Sequence, residues 1–96
     1  MIINEVEITP VKPNNGLIAF ASCVIDEWLY LGSIGIYTKL EGGYRLTFPT
    51  KKLANTSINI YHPINRDKSQ ELEQVIINKY EKVMSNNNDR YHSVSD

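Results

Sequence analysis

The chain reads as an α+β domain, an antiparallel sheet of about five strands followed by one C-terminal amphipathic helix. Three observations predict it. Through the first three-fifths, apolar residues alternate with polar ones, the period of a strand. After residue 65 they recur at three- and four-residue spacing, the period of one helix face. The 96 residues, 42% hydrophobic and 22% charged, have the size and balance of a single globular core.

Each element has its own signal. From Ile2 to Val11, a period-2 ribbon sets Ile2, Val6 and Ile8 on one side and Glu5, Glu7 and Thr9 on the other. Asn15-Gly16 follows, a pair that tolerates the positive φ of a tight hairpin. The next strand, Leu17 to Asp26, is apolar on both faces. Leu17, Ala19, Ala21, Cys23 and Ile25 fall on one, Ile18, Phe20 and Val24 on the other. Asp26-Glu27 gives a polar break, and Trp28 to Lys39 reads as a long strand containing Gly32 and Gly35, the mark of a bulge or close approach. Glu41-Gly42-Gly43 turns the chain again. Tyr44, Leu46 and Phe48 then alternate with Arg45 and Thr47 until Pro49. Residues 50–57 read as a polar loop, and Ile58 and Ile60 as a short last strand closed by His62-Pro63. The helix presents Leu72, Val75, Ile76, Tyr80 and Val83 on one face, with either Asp67 (paired with Gln70) or Asn65 as its cap. Beyond Met84 the pattern stops. One domain over residues 1–84 and a polar tail over 85–96 are expected.

A single helix covers one sheet face only. Because Leu17–Ile25 is apolar on both, the second face calls for another layer, and a second copy of the chain is the simplest source. A homodimer through the strand faces or edges of residues 17–39 is therefore expected.

Composition also excludes function classes. No segment approaches the ~20 apolar residues of a membrane span. The start Met1-Ile2-Ile3-Asn4-Glu5 lacks the basic region of a signal peptide. Cys23 is alone, so no intrachain disulfide or cysteine zinc site can form, and a reducing, cytoplasmic setting is expected. His62 and His92 have no partner at metal-binding spacing. Gly42-Gly43 is followed by Tyr44-Arg45, not by the Lys-Ser/Thr pair of a phosphate-binding loop. The pair Glu5/Glu7 has the character of solvated strand side chains. The chain reads as a binding protein, not an enzyme, with no metal and no cofactor.

The net charge of −1 is not that of a bulk polycation. Any anionic partner must be held locally, and the candidates are Lys51 and Lys52 after Pro49, with Arg66 and Lys68 where the helix begins. Cations there oppose the helix dipole, yet free N–H groups at a helix start also attract phosphate. The plainer account is a solvated face on which Asp67, Glu71 and Glu73 balance these cations.

Tyr61-His62-Pro63-Ile64-Asn65, the helix running to Asn78-Lys79-Tyr80, and Phe48-Pro49-Thr50-Lys51-Lys52 upstream together resemble the stage V sporulation protein G (SpoVG, or septation protein) family. The resemblance covers about residues 4–83. It implies a small bacterial regulator that forms a homodimer and binds DNA and RNA through a basic loop and the first helical turns. The loop carries over onto Lys51 and Lys52. The helix departs: Ser69 and Glu71 stand where the family tends to carry Arg and Lys, and Arg66 and Lys68 lie just upstream. The competing class is a protein-binding module that regulates or inhibits another protein. Tyr30, Tyr37, Tyr44 and Tyr61 would serve either role, in a protein interface or as stacking partners for bases.

Overall fold

A computed structural model describes the backbone of residues 1–95 and the side chains of residues 1–85. The expected polar tail, 85–96, lies almost entirely outside the residues described in full. The order of elements is β1 (Ile3–Asn14), β2 (Leu17–Ile25), β3 (Leu29–Thr38), β4 (Tyr44–Thr47), β5 (Thr50–Lys52), β6 (Ser57–Asn59) and α1 (Arg66–Ser95). The first four strands form one antiparallel sheet in the order β1-β2-β3-β4, and β5 and β6 form a separate two-stranded ribbon. The α+β class holds.

Two of the turns carry positive φ at both central residues, as tight hairpins require. Asn15 and Gly16 sit at φ 53° and 92°, joining β1 to β2. Asp26 and Glu27 sit at 50° and 66°, and the Trp28 N–H donates to the Ile25 carbonyl at 3.1 Å to close the turn. Trp28 caps that turn in the open, 77% exposed.

A bulge corrects the expected phase of β1. Asn4 pairs with Val24 and Glu7 with Ser22, so Glu5 and Val6 together oppose one residue of β2, and Glu5 adopts φ 48°. One extra residue reverses the alternation. Ile3, not Ile2, therefore joins Val6 and Ile8 against the core, while Ile2 is exposed.

The two faces of β2 have different fates. Ala19, Ala21 and Cys23 are buried beneath α1, together with Ile34 and Ile36 of β3 and Leu72 and Ile76 of the helix. The small side chains on β2 let the larger helix residues sit close to the sheet, so volume is shared between layers. Burial pushes the Cys23 thiol pKa up, in keeping with an inert core residue. On the opposite face Phe20 and Tyr30 are exposed, and the Arg45 guanidinium lies 4.7 Å from the Tyr37 ring centre. That face has no covering layer among the described residues. The need for a second layer, read from the alternation, therefore stands as open apolar surface.

Residues 50–57 are not a plain loop. They open an antiparallel hairpin in which Thr50 pairs with Asn59, Lys51 with Ile58 and Lys52 with Ser57. The Leu53 N–H donates to the Thr56 carbonyl at 2.7 Å, which closes a tight turn around Ala54-Asn55. Backbone pairing, invisible to a polarity count, made the difference.

Candidate nucleic-acid interface

The hairpin is anchored at its base. The Ile60 N–H donates to the Pro49 carbonyl at 2.9 Å, and just behind it the Phe48 and Tyr61 rings meet edge-to-face at 5.8 Å. The Tyr61 hydroxyl donates to the Gly32 carbonyl of β3. Its pKa is pushed up to about 12, chiefly by burial, with Cys23 and Tyr30 adding to it. A raised phenol pKa favours folding while the phenol stays protonated. That contribution is complete below pH ~10 and fades as pH rises towards 12. Tyr61→Phe leaves Gly32 without its donor and is expected to lower stability by about 1 kcal/mol. Denaturant melts at neutral pH measure it, and no loss would mean that water replaces the hydroxyl.

Beyond Tyr61 an extended segment leads into α1. The Asn65 side-chain Oδ1 accepts from the Lys68 N–H at 2.9 Å, and the Asn65 carbonyl accepts the first helical bond from Ser69 at 2.9 Å. Of the two caps the sequence offers, Asn65 is the one used. Asn65→Ala is expected to cost about 1 kcal/mol of stability, read as a lower denaturation midpoint with an unchanged slope. An unaltered midpoint would show that the cap is dispensable.

The four candidate cations all lie in the open: Lys51 and Lys52 on the hairpin, Arg66 and Lys68 at the helix start. Among the described residues, none of their side chains donates a hydrogen bond to a carboxylate. Of the four, Lys68 borders a pocket. Phe48 and Tyr61 at the hairpin base and Asn65 and Lys68 at the helix start line one pocket of about 370 Å³. Lys51 follows Phe48 by three residues, at most ~10 Å of extended chain. Within the hairpin, alternation sends Lys51 and Lys52 to opposite faces of the ribbon. Lys51 shares its face with Leu53, Ile58 and Ile60, and Lys52 shares the polar face with Thr50, Ser57 and Asn59. The sequence treats the two lysines as one unit, and the strand separates them. Ser69 is half-buried, whereas Glu71 is exposed on the helix.

Among the described residues no group of three or more His, Cys, Asp or Glu side chains is placed to hold a metal ion. No helix there is long and apolar enough to cross a membrane.

A four-stranded antiparallel sheet backed by one long helix, with a basic hairpin between β4 and α1 in the chain, defines a small α+β protein. The family model named SpoVG matches residues 1–82. A septation protein SpoVG of Treponema denticola is 31% identical over 84 residues, 86% of this chain and 89% of that protein. Similar proteins bearing the same name occur in Finegoldia magna, 32% identical over 83% of this chain and 74% of that protein, and in Phytoplasma australiense, 29% identical over 90% of each. The chain belongs to the SpoVG family.

Proposed function

We propose that this chain is a small, cytoplasmic, homodimeric regulator that binds DNA or RNA through Lys51, Lys52, Arg66 and Lys68, without catalysis and without a cofactor. One observation carries the reading. In a chain of net charge −1, four exposed cations lie on two neighbouring stretches, the hairpin and the helix start, and Lys68 shares a pocket with Phe48 and Tyr61 at the hairpin base. Phosphate is attracted by such local charge and by the unpaired N–H groups of a helix's first turn. Membership of the SpoVG family supports a regulatory role, and the exposed face bearing Phe20 and Tyr30 supports a second copy as the missing layer.

The helix start supplies the test. Glu71 is exposed and repels phosphate, whereas Ser69 is half-buried and neutral. Ser69→Arg with Glu71→Lys is expected to tighten binding with little sequence preference. Each further phosphate that the variant neutralises steepens the slope of log K against log salt by about 0.9 for duplex DNA. Most of the tightening should come from Glu71→Lys, which removes a repulsion as well as adding an attraction. An unchanged affinity and slope in the folded double variant would move the reading to a protein-binding module. Trp28 and Tyr30, both well exposed, are the surface such a partner would take.

A further inference from the structure

The hairpin β5–β6 poses a physical problem that its own chain does not solve. Every residue from Thr50 to Ile60 is exposed. Yet the ribbon is amphipathic: Leu53, Ile58 and Ile60 share one face, and each is 42–61% exposed. A lone two-stranded hairpin is marginally stable in water at best, and one that displays aliphatic side chains needs a surface to lie on.

A matching surface lies beside it. The pocket of about 370 Å³ is walled by Leu29, Leu31, Phe48, Tyr61, Ile64 and Leu72. Of its polar lining, Asn65 Oδ1 is engaged by the helix cap and His62 Nδ1 lies within 3.1 Å of the Pro63 carbonyl, which leaves the Lys68 ammonium as the free polar group. Small-molecule sites place free polar groups to orient a ligand. This one offers chiefly apolar wall, which suits aliphatic side chains. Among the described residues, the adjoining edge of β3 has no strand beside it: β4 pairs only with Gly35–Thr38, and along Leu29–Ser33 the Gly32 carbonyl is met by the Tyr61 hydroxyl. The turn Asp26-Glu27 joins the pocket residues Ile25 and Leu29, so an acidic pair sits at the rim. Lys51 is the charge on the hairpin's apolar face.

We infer that the hairpin is an exchange arm: in the homodimer, its Leu53–Ile58–Ile60 face covers the pocket and the β3 edge of a second copy, with Lys51 against that copy's Asp26-Glu27 turn. The inference rests on the dimer reading above but moves the contact from the open Phe20–Tyr30 face to the hairpin and the pocket. A second copy is the occupant because arm and receptor are both present on every chain, as a two-fold interface requires. The arm's own pocket is poorly placed to receive it, since Phe48 and Tyr61 already form both the arm's base and the pocket wall. Docked this way, the polar face with Lys52 stays outward, next to the helix start of the partner copy. The phosphate-binding patch is then assembled from both chains.

Sedimentation equilibrium of three single variants tests the inference. Ile58→Asp alters the arm and Ile64→Asp, at a side chain 92% exposed, alters the receiving rim. Phe20→Lys alters the open sheet face. Circular dichroism establishes that each is folded. The expected result is a wild-type dimer of twice 11.0 kDa, dissociation constants raised at least tenfold by Ile58→Asp and by Ile64→Asp, and no change with Phe20→Lys. Wild-type dimerisation that persists in both aspartate variants, or that only Phe20→Lys disrupts, overturns the arm while leaving the dimer intact. A wild-type monomer overturns both.

Discussion

Ile76→Ala is expected to remove about 2–5 kcal/mol of stability, the usual cost of deleting a fully buried branched side chain. Ile76 has no exposed surface and lies in the cluster formed by Ala19, Ala21, Cys23, Ile34 and Ile36. Three of those neighbours are too small to reach into the space it would vacate, so the cavity would persist, and persistent cavities lie at the costly end of that range. A domain of this size holds roughly 5–15 kcal/mol in total, so the loss is a large share of it. Urea denaturation at fixed protein concentration reads the change as a fall in midpoint with a preserved slope. A loss below about 1 kcal/mol would mean that the sheet can relax around the gap, and that the small residues of β2 do not fix the position of the helix.

Reversing the hairpin charges is expected to act on binding and not on folding. Lys51→Glu with Lys52→Glu removes two cations from an exposed ribbon whose backbone pairing they do not supply. With Lys52 on phosphate the slope of log K against log salt becomes shallower by about 0.9, and a change of about 1.8 would require Lys51 to meet phosphate as well. The single variants should differ. Lys52 lies on the polar face and Lys51 on the aliphatic one. Lys52→Glu should therefore account for most of the change in slope, and Lys51→Glu should act more on dimerisation. Equal effects of the two singles on the slope would place both side chains on one phosphate track, contrary to the alternation of the strand. Arg66→Glu and Lys68→Glu extend the test to the helix start, where replacing cations with acids also relieves the opposition to the dipole and leaves the helix at least as stable.

Much of the architecture was legible because the signals were local. Asn15-Gly16, Asp26-Glu27 and Gly42-Gly43 all stand at turns where φ is positive, and the four-residue spacing of Leu72, Ile76 and Tyr80 does mark the helix face that packs on the sheet. What escaped was set by register. The bulge at Glu5 exchanged Ile3 for Ile2, and nothing in a run of alternating residues announces where one extra residue is inserted. The short strand at Ile58 was legible, but its partner β5 escaped because Thr50-Lys51-Lys52 is too polar to suggest burial, and it is indeed exposed; only the pairing reveals a ribbon. The same pairing separates Lys51 from Lys52. Of the candidate site, the four cations could be named from composition and resemblance. The pocket that Lys68 shares with Phe48 could not, because the two are brought to it from segments twenty residues apart. The Tyr61 hydroxyl on the Gly32 carbonyl was equally out of reach, being a contact across twenty-nine residues.

The central claim is that the cations of the hairpin and the helix start bind phosphate. Titration of duplex DNA and of single-stranded RNA with the wild-type protein, across a series of salt concentrations, tests it most directly. The predicted result is binding whose log K falls linearly with log salt, with a slope of about −2 to −4 for two to four phosphate contacts, and a shallower slope in the Lys51→Glu, Lys52→Glu variant. Absence of binding at low salt, or binding whose salt slope is the same in wild type and variant, would contradict it.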